Sequence, residues 1–277
     1  MRTQTTLFVL LSLLILSACA HQSPPLDEAQ RDQAYQQALA YLSEEPPHTA
    51  EAVAALQPAA ESGHPHAARL LADLLLAGDG IERDLAAATD WYEYAATHGD
   101  AGAAYALGEL HRRGLQLPRD FTQAAHWYQQ AVDLGHRPAR WELARMYIGG
   151  RGVEQDYHIA HELLKPLADD RHPEVLYNLG VMYDGGHGVE QDHPSAAAYY
   201  RDSARLGYPQ AMVNYAMMRH RGEGVEQDKV DALAWLIAAK HRYGDRAKGI
   251  DDGIAQWAGE LTAEQVEQAE ALASSRF

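Results

Sequence analysis

The chain has 277 residues, of which 47% are hydrophobic and 22% charged. That balance excludes a mainly disordered polypeptide. The only strongly apolar run, Leu7–Leu16, is too short to cross a bilayer as a helix. The net charge of −16, from 23 Lys+Arg against 39 Asp+Glu, argues against nucleic acid as a partner, because phosphate backbones repel such a surface. Abundant Ala with few β-branched residues favours helices over strands.

The N-terminus begins Met1-Arg2, continues into the apolar run, and ends Leu16-Ser17-Ala18-Cys19. A positive start, a short apolar core and small residues before a cut site describe a secretory signal over residues 1–18. Cys19 is the only cysteine, so no intramolecular disulfide forms. The Leu-Ser-Ala-Cys ending resembles the lipobox of bacterial lipoproteins. That resemblance implies cleavage before Cys19, lipidation of its thiol and acylation of the new amino terminus. The acyl chains would hold the protein on a lipid bilayer. Ala20 stands where Asp commonly retains lipoproteins at the inner membrane, so the resemblance implies the outer membrane, facing the periplasm. Residues 19–26 then form the lipidated start and a short linker.

Residues 27–64 follow as an N-terminal helix pair. A helix over about Asp27–Leu42 precedes a second whose Ala59-Ala60 and Gly63 match the repeats downstream. Glu44–Thr49 replaces the glycine loop found in those repeats.

From residue 65 to 244 the sequence repeats itself five times. Asp84, Asp120, Asp156, Asp192 and Asp228 are each 36 apart, as are Gly78, Gly114, Gly150, Gly186 and Gly222. A second glycine follows at Gly80, Gly152, Gly188 and Gly224, with Gln116 as the exception. Each unit predicts two helices. In the first, Ala103, Leu107, Gly108 and Leu110 fall on one face. The glycine pair ends that helix. The Asp column opens the second helix as N-cap, and Gln123 occupies the capping-box position in unit two. Trp91-Tyr92, Trp127-Tyr128, Tyr199-Tyr200 and Trp235-Leu236 mark the second helix.

This pattern, Ala-x-x-x-Leu-Gly-x-x-Tyr, then Gly-x-Gly-Val-x-x-Asp, then Ala-x-x-Trp-Tyr-x-x-Ala-Ala-x-x-Gly, resembles the Sel-one-like repeat. The resemblance implies an all-α fold, a right-handed solenoid of helix-turn-helix units related to the tetratricopeptide repeat. Unit two departs from it at Gly114-Leu115-Gln116-Leu117-Pro118. Unit three departs further: Leu163-Leu164 replace the aromatic pair, Pro166 should kink the second helix, and Arg171 replaces the closing glycine. Residues 245–277 read as C-terminal capping helices, with Thr262 to Gln265 as a capping box.

No nucleophile motif, cofactor cradle or phosphate loop stands out, so the chain is expected to be non-enzymatic and free of cofactors. His158 and His161 share a helix face, but the zinc-protease pattern is absent and no metal site is expected. His64, His136 and His172 share one column and read as turn and cap residues. The leading surface is a column on the first helices: Arg69, Tyr105, Trp141, Tyr177 and Val213, flanked by Asp73, Glu109 and Arg145, and by Arg112, Arg113 and Arg221. By analogy with tetratricopeptide arrays this column faces a concave side suited to a protein partner. The sequence therefore reads as a lipid-anchored scaffold or adaptor for proteins of the bacterial envelope. The alternatives are a periplasmic hydrolase of cell wall or β-lactams, and a glycan-binding module for exported polysaccharide.

Overall fold

The computed structural model describes residues 24–114, 117–244, 247 and 249–276. The signal segment, Cys19 and the Leu115-Gln116 departure lie outside the described residues. Among the described residues there are fourteen α-helices, one 3-10 helix and no strand. None of these helices is long and apolar enough to cross a membrane. The chain divides into two compact units, with the boundary between Ala104 and Tyr105.

In the first unit, α1 (Glu28–Leu42) pairs with α2 (Thr49–Glu61), and α3 (Pro65–Ala77) with α4 (Leu85–Thr97). Helix α1 starts on a capping box between Asp27 and Gln30, and its entry is fastened by Leu26 N–H donating to Ser62 Oγ at 2.9 Å. Helix α5 (Ala101–Arg113) follows and runs across the boundary. The second unit continues with α6 (Phe121–Asp133), α7 (Arg137–Gly149), α8 (Tyr157–Leu164), the 3-10 helix Lys165–Asp170, α9 (Pro173–Gly185), α10 (His193–Arg205), α11 (Pro209–Arg221) and α12 (Lys229–Tyr243). Two capping helices close it, α13 (Ile250–Ala258) and α14 (Ala263–Ser274). The capping box is present at Thr262, whose hydroxyl accepts from Gln265 N–H while Gln265 accepts from Thr262 N–H.

The first helix of every repeat ends in the same way. Gly78, Gly114, Gly150, Gly186 and Gly222 sit at φ between 58° and 75°, the left-handed region that ends an α-helix without a Cβ penalty. Each Asp of the 36-residue column then donates its N–H back to the preceding helix, as Asp156 does to Tyr147 O at 3.1 Å. The same Asp side chain accepts from the new helix: Ala87 N at 3.0 Å from Asp84, Ile159 N at 3.0 Å from Asp156, Asp231 N at 2.9 Å from Asp228. Asp120 accepts from both Thr122 and Gln123, but Gln123 does not return the bond, so the capping box expected in unit two is only half formed.

The second glycines have a different task. A Cβ on Gly152 would lie 2.2 Å from the Phe121 carbonyl, and one on Gly224 would lie 2.2 Å from that of His193. Gly188 meets Tyr157 in the same way, at 2.3 Å. Each loop is thereby pressed onto the first turn of the second helix of the preceding repeat.

Unit three carries the irregularity that Pro166 foretold. Helix α8 stops at Leu164 and the chain tightens into the 3-10 helix, which ends with Arg171 at φ 53°. Proline alone does not force this outcome, because α2 continues through Pro58 in the equivalent position.

Candidate functional site

In repeats one, two and four the buried face of the second helix carries a tyrosine whose hydroxyl meets an acid on the first helix. In the first unit, the Tyr92 hydroxyl donates to Asp73 Oδ1 at 2.6 Å. In the second, the Tyr128 hydroxyl donates to Glu109, and Tyr200 approaches Asp184 Oδ2 at 3.4 Å. Burial drives all three phenols well above their ordinary pKa, so they remain hydrogen-bond donors. Gly108 and Gly180 make room for two of these rings: a Cβ would lie 2.5 Å from Tyr128 and 2.6 Å from Tyr200.

Unit three breaks this pairing at both ends. Leu164 stands in the tyrosine column and Arg145 in the acid column. With no phenol to meet, Arg145 is exposed, lies over the Trp141 ring at 5.6 Å and pairs with Glu142 at 3.3 Å. Beside it the second unit opens into a cavity of about 500 Å³. Helix α7 forms its floor through Trp141, Glu142, Arg145 and Gly149. Arg112 and Arg119 enter from the end of α5 and its loop, Arg151 from the loop after α7, Glu174 and Asn178 from α9, and Tyr208 from the cap of α11. The wall thus holds four arginines and two glutamates, in a chain whose net charge is −16.

The four arginines are not equivalent. Arg112 grips Glu109 with two bonds of 2.9 and 2.8 Å and donates to the Tyr128 hydroxyl at 3.1 Å. Arg145 is held by Glu142. Arg119 and Arg151 are exposed and have no carboxylate within ion-pair distance among the described residues. Arg119 departs from the rest of its repeat column. Its column mates Arg83, Gln155, Gln191 and Gln227 each donate to the carbonyl seven residues back, at 2.7–2.9 Å. Arg119 makes no such bond among the described residues and lies over Phe121 at 5.9 Å instead.

The column expected to bind is divided by the structure. Trp141, Arg112 and Arg145 line the cavity. Tyr105 is half-buried, stacked on His136 at 4.7 Å and near Tyr128 at 5.8 Å. Tyr177 lies between Tyr200 and Tyr208, at 5.9 and 5.1 Å. Arg69 belongs to the first unit, where it bonds Asp73 at 2.9 Å and the buried Asp100 at 3.2 Å. Arg113 pairs with Glu109 at 2.6 Å and Arg221 with Glu223 at 3.7 Å, and neither lines the cavity. Arg119, Arg151, Glu174, Asn178 and Tyr208 did not stand out in the sequence. For Arg119 the residue type gave no signal, because Arg83 stands in the same column; the cue was its place beside the Gly114-Leu115-Gln116-Leu117-Pro118 departure. For Arg151 the signal was that it is the only arginine in its column.

The shared histidine column serves as caps and packing groups. His64 Nδ1 and His136 Nδ1 accept from Ala67 N at 3.1 Å and Ala139 N at 3.3 Å as N-caps. His172 packs against Trp141 at 5.8 Å. His161 is buried and meets the Tyr183 hydroxyl at 3.2 Å, while His158 is exposed.

The Sel1 repeat model matches residues 65–100, 101–136, 137–172, 173–208 and 209–241. A Sel1 repeat protein from Oxalobacter formigenes is similar in structure, with TM-score 0.62, 24% identity, and coverage of 78% of this chain and 85% of that one. A protective antigen of uropathogenic Escherichia coli displaying an SLR fold is similar with TM-score 0.51 and 22% identity, covering 89% of this chain and 76% of that one. No curated protein matches the chain. At these identities the likeness speaks to fold. The five consecutive matches take in α3 to α11 and most of α12, and leave α1, α2, α13 and α14 outside.

Proposed function

The chain belongs to the Sel1 repeat family, and from that premise we propose that it is a non-enzymatic scaffold, a lipid-anchored adaptor that gathers proteins of the bacterial cell envelope. Repeat arrays of this kind present extended surfaces made from many short elements. The observation that carries the reading is the cavity on α5, α7 and α9, where a tryptophan and several arginines, residue types enriched among interface hot spots, share one wall. The Leu16-Ser17-Ala18-Cys19 sequence supports the anchor, and Ala20 supports the outer membrane.

Trp141→Ala tests the scaffold. Trp141 is half-buried at the cavity floor, so its loss should cost under about 2 kcal/mol in denaturant unfolding, the range of substitutions outside a packed core. Capture of protein partners by crosslinking in envelope preparations should fall about tenfold, about 1.4 kcal/mol. Trp127→Ala is the contrast: that ring is buried, and its truncation should cost about 3–5 kcal/mol. An unchanged partner profile in Trp141→Ala would overturn the reading, as would turnover of β-lactams or muropeptides by the purified protein.

A further inference from the structure

The scaffold reading leaves the chemistry of the partner open, and the cavity constrains it. Opposite charges lining one concave wall commonly pair, although water compensates an exposed guanidinium that does not. Arg112 and Arg145 have done so, with Glu109 and Glu142. Arg119 and Arg151 have not, although the chain carries a large excess of carboxylates. Arg119 has even left the backbone carbonyl that every other member of its column holds. Two uncommitted guanidiniums on one wall of a concave site form a receptor for two carboxylates, since each planar fork takes a carboxylate through two parallel hydrogen bonds.

The remaining lining separates the classes of anion. Glu174 has no ion-pair partner among the described residues and faces the same cavity, as does Glu142. A uniformly charged polyuronate would set negative charge against both. Trp141 is also unsuited to stack a sugar, because Arg145 lies over its ring and His172 packs beside it. A peptide escapes both difficulties, since it can set acids against the arginines and a neutral or basic residue against Glu174. The acidic body elsewhere would repel such a peptide, so the arginine cluster also fixes where it lands.

We propose that this cavity, resting on the scaffold reading, is a docking site for an acidic segment of a partner protein, with Arg119 and Arg151 receiving its carboxylates and Trp141 lining the same seat.

The test uses the full chain and displayed random-sequence peptides as the probe. Peptides retained by the wild type should be enriched in Asp and Glu over Lys and Arg. Their binding should weaken with rising salt and fall at least about tenfold in the Arg119→Gln, Arg151→Gln double variant. Both side chains are exposed, so that variant should melt with the wild type. Arg113→Gln, outside the cavity, should bind as the wild type does. Enrichment of no acidic residue, or equal binding by the double variant, would overturn the proposal. Polygalacturonate bound by the wild type and lost in the double variant would overturn it in favour of a glycan. Protein partners crosslinked through the Trp141 region without acidic-peptide binding would sink this inference and leave the scaffold reading standing. The absence of any crosslinked protein would sink that reading on its own evidence.

Discussion

Asp73 and Glu109 occupy the same column one repeat apart, and both accept from a buried tyrosine, yet their environments act in opposite directions. Burial raises Asp73, and its bonds to Tyr92 and Arg69 do not compensate. Burial also acts on Glu109, but the bonds from Arg112 and Tyr128 and the charges of Arg112 and Arg113 outweigh it and hold the carboxyl below its ordinary range. A depressed carboxylate stabilises the fold above its unfolded pKa, and that contribution is lost as pH falls through the folded value. Glu109→Gln should therefore cost about 1–3 kcal/mol at neutral pH, the range for a buried hydrogen-bonded charge. It should also flatten the loss of stability on acidification below the ordinary glutamate range. Asp73 has the reverse sign: its ionisation opposes folding above the ordinary aspartate range, and the penalty disappears below it. Asp73→Asn, which keeps an acceptor for Tyr92, should be far milder at neutral pH. Chemical unfolding across a pH series measures both, and equal losses at neutral pH would mean that the two sites are not opposed.

At the scale of elements, the caps and the glycine loops set the ends of the helices. Asp156→Ala removes one bond at the start of α8 and should cost about 0.5–2 kcal/mol. Asp228→Ala should cost more, because Asp228 also pairs with Arg219 at 2.9 Å. Unchanged melting of Asp156→Ala would contradict its capping role. The glycines allow a cleaner comparison. Gly135 and Gly152 both have positive φ, at 86° and 74°, but a Cβ on Gly135 meets nothing within 4 Å. Gly135→Ala should cost about 1–2 kcal/mol for the left-handed backbone. Gly152→Ala should cost about 1–3 kcal/mol beyond that, because its Cβ collides with Phe121. Similar losses in the two variants would show that the loop does not press on the preceding repeat. These elements were legible in the sequence because each is written four or five times at one interval, so that an Asp or Gly column exposes its own purpose.

At the scale of the whole molecule, the lipobox makes a separate prediction: Cys19→Ser should abolish incorporation of labelled fatty acid, and equal labelling of the variant would refute the anchor. The order of helices, their periodicity and their pairing were readable from residue 65 onward. The cavity was not. It arises from departures, namely Leu164 and Arg145 exchanging the tyrosine–acid pair for an exposed cation, and Arg119 abandoning its backbone carbonyl. Spacing could nominate Tyr105, Trp141 and Tyr177 as equals. It could not show that Tyr105 and Tyr177 spend their faces on His136, Tyr200 and Tyr208, because ring contacts between adjacent helices depend on side chains from different columns. Nor could it show that Arg69 is already committed to Asp73 and Asp100.

The contact between each second glycine and the helix before it also constrains how such a chain can change length. Gly188 rests on the backbone at Tyr157, and Gly224 rests on the backbone at His193, one repeat later. Excision of residues 173–208 as a block would present Gly224 with the Tyr157 backbone that Gly188 now meets, and the joint would be remade from the same parts. A cut that is not a whole number of repeats would bring a side chain or the wrong turn of helix against that backbone. Duplication obeys the same arithmetic, so inheritance can lengthen or trim this array in whole repeats, while the arginine-lined wall, assembled from neighbours that differ, survives only if units two to four travel together.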